Sequence, residues 1–240
     1  MKTIGLIGGM SWESTALYYR WLNEKVADRL GGLHSAKCLI YSVDFEEIEL
    51  MQRQGNWRAA GERLGEAAQC LERAGADFLL ICTNTMHKVI ADIQNAVNSP
   101  VLHIADPTIE TIMARDLSKV GLLGTKYTME QDFYKNRFVE KGIEVLVPEQ
   151  ADRTEVNKII FEELCRGIVL DASRTRLMKM IEKLVGAGAE GIILGCTEIT
   201  LLIKPEHCNV PIFDTTEMHV TKAVEWALRE EETRKGDQWI

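Results

Sequence analysis

Cys196, in Gly195-Cys196-Thr197-Glu198, is a thiol placed to act as a base or a nucleophile. It follows the apolar run Gly191 to Leu194, which itself follows Ala187-Gly188-Ala189-Glu190. An earlier segment repeats this layout: Ala74-Gly75-Ala76-Asp77, then Phe78 to Cys82, then Thr83-Asn84-Thr85. In that register Thr83 stands opposite Cys196. A hydroxyl and a thiol on two matching loops suit proton transfer from both sides of one substrate atom. Cys82 is one residue too early for this alignment. Strand alternation points it away from the side Thr83 faces, so it reads as a buried core thiol; swapped roles would make Cys82 the second catalytic group.

Two further matches keep the same order. Ile4-Gly5-Leu6-Ile7-Gly8 pairs with Val120-Gly121-Leu122-Leu123-Gly124, and Pro100-Val101-Leu102-His103 with Pro211-Ile212-Phe213-Asp214. The three offsets are 116, 113 and 111 residues, which indicates an internal duplication. Four strand ends would then converge on a cleft: Gly8-Gly9-Met10-Ser11, Thr83-Asn84-Thr85, Gly124-Thr125-Lys126 and Cys196-Thr197-Glu198. Read singly, Ser11, Thr85 and Thr197 are helix N-caps. Together the loops read as a pocket for a small carboxylate, with backbone amides and helix dipoles favouring negative charge. The same environment would lower the thiol pKa of Cys196.

The elements that must carry these loops alternate. Apolar strands are expected at Thr3 to Ile7, Ala36 to Val43, Phe78 to Cys82, after Pro100, at Val120 to Leu123, Ile143 to Val147 and Gly191 to Leu194. Helices are expected over Trp12 to Leu30 with Trp12, Ala16, Tyr19, Leu22, Val26 and Leu30 inward, then Trp57 to Ala74, and from near His87. Others follow over Tyr127 to Lys141, Val156 to Gly167, Ala172 to Val185, and Thr215 to about Arg229. This is an α/β chain with parallel sheets covered on both faces. The division is residues 1–103 plus 213–240 as a first domain and 104–212 as a second. The polar tail from Glu230 is expected to fray.

Composition narrows the class. The chain has 240 residues, 46% of them hydrophobic, and a net charge of −8. That charge, without a basic cluster, argues against nucleic acid, and the apolar runs are too short for a membrane span. With no signal-peptide pattern, a cytoplasmic location is expected. The six cysteines form no Cys-x-x-Cys pair and have no histidine at zinc spacing, so no metal is expected.

The motifs Gly8-Gly9-Met10, Asn84-Thr85-Met86-His87, Gly124-Thr125 and Gly195-Cys196-Thr197-Glu198 resemble the aspartate/glutamate racemase superfamily. Gly8 to Thr15 and Asp132-Phe133-Tyr134 resemble its bacterial branch of L-aspartate/glutamate-specific and broad-specificity amino-acid racemases. The resemblance runs from residue 3 to about residue 228. It implies two pseudo-symmetric Rossmann-like α/β domains with the active site in the cleft between them. It also implies a homodimer, no pyridoxal phosphate or other cofactor, and a small acidic amino acid as substrate. The family reaction is two-base proton transfer at Cα. Cys196 takes the place of the second-half base, which in the family acts on the L-isomer, and Thr83 replaces the usual first cysteine. Met10, Ser11, Asn84, Thr85, Thr125, Thr197 and Glu198 become substrate-binding residues. Gln52 and Lys126 are candidates for the distal carboxylate, although Gln52 reads equally as a solvated helix residue.

Other readings stay open. A related single-cysteine decarboxylase or isomerase of a dicarboxylate, or a non-catalytic binding protein for an acidic amino acid, would use the same pocket. A cysteine hydrolase with His87 or His219 lacks the local signatures of such enzymes. A dinucleotide site at Gly5-x-x-Gly8-Gly9 with Asp44 lacks the required glycine spacing.

Overall fold

The structure, a computed structural model, describes the backbone of residues 1–236 and the side chains of residues 1–229. The tail expected to fray from Glu230 falls outside the described side chains. The chain folds as two compact units, residues 1–103 with the segment from His219, and Ile104–Met218.

In the first unit, four parallel strands lie in the order β2-β1-β3-β4: β1 is Ile4–Gly8, β2 Cys38–Ser42, β3 Phe78–Ile81 and β4 Val101–Leu102. Ile4 to Gly8 pair with Cys38 to Ser42, and Ile4 to Ile7 with Phe78 to Ile81. Side chains alternate across this sheet. Ile7, Leu79 and Ile81 pack under α2 (Phe45–Arg53), α3 (Trp57–Arg73) and α4 (Ile90–Asn95). Ile4, Leu6, Phe78, Leu80 and Cys82 pack on the other face against α1 (Trp12–Leu30) and α10 (Thr215–Gly236). Strands buried on both faces explain the continuous apolar runs.

The second unit repeats the topology as β6-β5-β7-β8, with β5 Lys119–Gly124, β6 Glu144–Leu146, β7 Ile192–Gly195 and β8 Ile212–Asp214. Gly121 to Gly124 pair with Ile192 to Gly195. Its helices are α5 (Ala105–Met113), α6 (Lys126–Glu130), α7 (Asp132–Val139), α8 (Gln150–Lys158) and α9 (Asp171–Gly186). β8 puts Phe213 and Asp214 opposite Ile193 and Leu194, so residues 213–218 belong to this unit and not, as read from sequence, to the first.

The repeated Ala-Gly-Ala-acid turn has a structural purpose. Gly75 and Gly188 adopt nearly identical left-handed backbones, with φ of 98° and 97°, a region glycine enters without steric cost. The acid then receives the amide at the start of the neighbouring strand. Asp77 Oδ2 accepts from Thr3 N at 2.6 Å, and Glu190 Oε2 accepts from Ser118 N at 2.8 Å and Lys119 N at 2.9 Å.

Several helices depart from the sequence reading. α1 buries Ser14, Thr15, Tyr18, Leu22 and Val26, while Trp12 and Tyr19 face solvent. Its first turn needs hydroxyls inward: Ser14 Oγ donates to Cys82 O at 2.8 Å, and Thr15 Oγ1 accepts from Gly9 N at 2.8 Å. The expected helix from Tyr127 to Lys141 is broken by extended Gln131 into α6 and α7. The expected helix over Val156 to Gly167 is the end of α8 followed by a π turn at Ile159–Glu163 and a 3-10 turn at Leu164–Arg166. α2 was not anticipated.

Candidate active site

In the first unit, the loop after β1 folds against the loop after β3. Gly9 N is held by Thr15 Oγ1, which in turn donates to Ser11 O at 3.0 Å. A Cβ on Gly9 would lie 2.3 Å from Val43 O, so no larger residue fits that approach. Ser11 Oγ accepts from Ser14 N at 3.3 Å and caps α1. Met10 is buried in the core with Ile7, Val43 and Ile48. β3 then runs into Thr83-Asn84-Thr85 and a 3-10 turn at Thr85–Val89. From Phe78 through His87, every residue is buried except Thr83, which is half-buried. Cys82 continues the apolar face of β3, and burial pushes its thiol pKa far up. Gln52 is not solvated. It is 4% exposed on α2, and its Nε2 donates to Met86 Sδ at 3.0 Å, which sets it beside the Asn84-Thr85 loop.

In the second unit, β5 and β7 end side by side at paired Gly124 and Gly195. Thr125 follows Gly124, and its Oγ1 accepts from Thr128 N at 3.3 Å to cap α6. Cys196 follows Gly195 in an extended conformation and is buried. Its Sγ donates to Glu198 Oε2 at 3.0 Å, and Thr197 Oγ1 donates to the same oxygen at 2.6 Å. One carboxylate oxygen therefore gathers the thiol and the hydroxyl. Lys126 is exposed, with Nζ 5.0 Å from the Tyr127 ring centroid.

Two expectations about this chemistry are corrected. Only the loop after β1 opens a long helix; Thr83, Thr125 and Cys196 precede turns of five residues each, so helix-dipole assistance at those loops is slight. The Cys196 thiol pKa is raised well above its ordinary value, not lowered. Burial is the main cause, followed by the Glu198 charge, with Cys165 and the hydrogen bond to Glu198 adding to it. At neutral pH the resting group is a thiol that donates to Glu198. For Glu198, read from sequence as a substrate contact, the observed partners are Cys196 and Thr197.

His219 and Asp44, candidates in the hydrolase and dinucleotide readings, have structural partners. His219 has both ring nitrogens engaged, Nδ1 at 2.8 Å from Tyr18 Oη and Nε2 at 3.0 Å from Leu102 O, and burial holds its pKa down to about 3. Asp44 Oδ1 accepts from Glu46 N at 3.1 Å and caps α2. Among the described residues there is no group of His, Cys, Asp and Glu arranged for a metal ion, and no helix long and apolar enough to cross a membrane. The histidine–tyrosine cluster around His87 was missed as a unit. The four-residue spacing from Thr83 to His87 was the one hint of it in the sequence.

Comparison with known proteins identifies relatives of the whole chain. A crystal structure named for an Asp/Glu racemase from Yersinia pestis shares 54% identity, with 95% of this chain and 100% of that one covered and a TM-score of 0.89. An aspartate racemase homologue from Pyrococcus horikoshii OT3 shares 41% identity over 95% of this chain and 99% of its own, with a TM-score of 0.83. The broad-specificity amino-acid racemase RacX of Bacillus subtilis (strain 168) is 24% identical over 89% of this chain and 92% of its own length. The family model described as Asp/Glu/hydantoin racemase matches residues 7–223. The chain belongs to the Asp/Glu/hydantoin racemase family and is an isomerase, an amino-acid racemase.

Proposed function

We propose that the chain racemises aspartate and glutamate without a cofactor, Cys196 acting on one face of Cα and Thr83 on the other. The observation that carries this reading is the Cys196–Glu198 contact of 3.0 Å at the end of β7, on the repeat counterpart of the loop that bears Thr83.

Cys196 must lose its proton before it can act as a base, and Glu198 Oε2 is the acceptor within reach. The substrate supplies compensating charge. An α-ammonium about 4 Å from sulfur, at an effective dielectric near 20, favours the thiolate by about 4 kcal/mol, or roughly three pKa units. That opposes the upward shift caused by burial and by Glu198. The thiolate then takes the α-proton: the C–H bond breaks, an S–H bond forms, and the electron pair is held on the substrate carboxylate as an enediolate. Thr83 Oγ donates its proton to the opposite face, and the resulting alkoxide regains a proton from water, to which half-buried Thr83 has access. A hydroxyl is a far weaker acid and its alkoxide far less accessible than a thiolate, so the site starts more readily from the L-isomer.

Selectivity for an acidic side chain falls to the Gln52 amide, with Lys126 supplying a cation. The Gln52 amide donates to a thioether, a weak acceptor, so a carboxylate oxygen is the stronger partner. Met10, Ser11, Asn84, Thr85, Thr125 and Thr197 frame the α-carboxylate. A homodimer and a cytoplasmic location complete the proposal.

The test is chiral chromatography with mass detection after incubating L- and D-aspartate and glutamate in deuterated water, with and without a chelator and a carbonyl reagent. The expected result is inversion with deuterium at Cα, insensitive to both reagents. Carbon dioxide release or a change of unsaturation would replace this reading with the dicarboxylate enzyme. Ligand-induced thermal stabilisation without α-exchange would replace it with a binding protein.

A further inference from the structure

Three of the five histidines, His87, His103 and His219, lie together in the first unit, all buried. The His87 ring is 4.5 Å from that of His103 and 6.1 Å from that of His219, while Tyr18 meets His219 edge-on at 5.7 Å. The four side chains come from four places: α1, the end of β4, α10 and the 3-10 turn after Thr83. A buried imidazole is costly unless its nitrogens are satisfied, and here the partners dictate the tautomers. Leu102 O can only accept, so His219 Nε2 carries the hydrogen and Nδ1 accepts from the Tyr18 hydroxyl. Thr83 O likewise can only accept, so His87 Nδ1 carries the hydrogen it donates at 2.8 Å. His219 stays neutral to about pH 3 because of burial and the proximity of His87, so its part is orientation and not charge.

We infer that His87 is a positioning residue for Thr83: its Nδ1–H clamps the Thr83 carbonyl, and the His103–His219–Tyr18 cluster holds the imidazole in place. The inference rests on the reading of Thr83 as the proton donor of the second face. The geometry explains why a side chain is needed. The turn begins at Thr85, and its first backbone bond, from His87 N to Asn84 O at 3.1 Å, leaves the Thr83 carbonyl one residue outside the turn. A side chain four residues on closes that gap, fixing the backbone that aims the only half-buried residue of the segment.

The experiment compares wild type with His87→Asn, which keeps an N–H donor near the Nδ1 position, and His87→Gln, which carries it near the Nε2 position. L-Aspartate and L-glutamate are incubated in deuterated water, and deuterium is followed separately in recovered L-isomer and in D-product, with melting temperatures recorded. Exchange into L-isomer reports Cys196 alone; inversion also needs Thr83. In His87→Gln the ratio of L-exchange to inversion should rise at least about tenfold, the scale on which small misplacements act. In His87→Asn it should return to within about threefold of wild type. Equal loss of exchange and inversion in His87→Gln, an unchanged ratio, equal behaviour of the two variants, or failure of both to fold would each overturn the inference and make His87 a core residue. If wild type exchanges no α-deuterium, the racemase reading itself falls, and this inference with it.

Discussion

The loops after β3 and β7 leave matching positions of a repeated scaffold and create opposite environments. Each strand begins beyond the same glycine turn, and each pairs with the first strand of its unit in the same order. Beyond the strand end both loops enter a five-residue 3-10 turn, but the side-chain partners differ. Thr83 is half-buried, followed by buried Asn84 and Thr85, and its carbonyl is tied to an imidazole. Cys196 is buried and its thiol is tied to a carboxylate. The duplicated backbone sets where a proton-transfer group can stand, and the neighbouring side chains set how tightly that group holds its proton. An asymmetric pair on a symmetric frame should work unequally in the two directions.

The largest effect should come from removing the thiol. Cys196→Ala is expected to lower racemisation by about 10⁴-fold with an unchanged circular dichroism spectrum, and Thr83→Ala by about 10²-fold, the span of general acid–base contributions. Cys82→Ala should stay within about threefold in rate and cost about 1 kcal/mol in urea-monitored stability, as a small core deletion does. If Cys82→Ala is the severe variant and Thr83→Ala the mild one, the loop is shifted by one residue.

The asymmetry can be removed directly. Thr83→Cys should raise the initial rate from D-aspartate or D-glutamate by about tenfold or more, one pKa-matched group replacing a poor one, while the equilibrium ratio of enantiomers stays put. Equal initial rates from both wild-type enantiomers, unchanged in the variant, would leave the threonine without a mechanistic part.

A smaller change sharpens the electrostatic half of the comparison. Glu198→Gln removes the charge that, after burial, most raises the Cys196 thiol pKa. Thiolate absorbance titration should show the group ionising at lower pH in the variant than in wild type. An unchanged titration would mean that burial alone sets it.

The smallest effect is read in stability and comes from two titrating groups, buried His219 in the first unit and half-buried Asp214 in the second. The His219 pKa is held near 3 in the fold against an ordinary 6.5, so its contribution is complete above pH 6.5 and is lost as pH falls towards 3. The Asp214 pKa is raised by burial to about 6 from 3.8, despite hydrogen bonds from Thr216 N and Glu217 N, so its contribution is present below pH 3.8 and is lost as pH rises through 6. Between pH 3.8 and 6 the two slopes, each up to about 1.4 kcal/mol per pH unit, oppose one another. His219→Gln should therefore make the variant's stability relative to wild type rise as pH falls through that window, measured by urea denaturation. A parallel pH dependence in the two proteins would refute the buried-neutral assignment.

What could be read before folding was whatever depends on local order along the chain. Apolar runs announced β1, β3, β5 and β7, three of them closed by glycine, because strands buried on both faces read as nearly continuous hydrophobic stretches. The repeat set Thr83 against Cys196, because a duplicated topology carries equivalent residues to equivalent strand ends. α2 stayed hidden because Glu46, Glu47 and Glu49 dilute its buried positions, Ile48 and Gln52. The inward face of α1 was misjudged because Ser14 and Thr15, polar by type, bond to backbone that only the folded loops deliver.

The sequence by itself determined the fold class, the internal repeat and the alignment of Thr83 with Cys196 within that repeat, all consequences of pattern and spacing. Only the tertiary structure decided the proton affinity of Cys196, the burial of Gln52 beside Met86 and the imidazole clamp on Thr83. Proton affinity and hydrogen-bond partnership depend on what surrounds a side chain within a few ångströms, and those surroundings come from elements far apart in the chain.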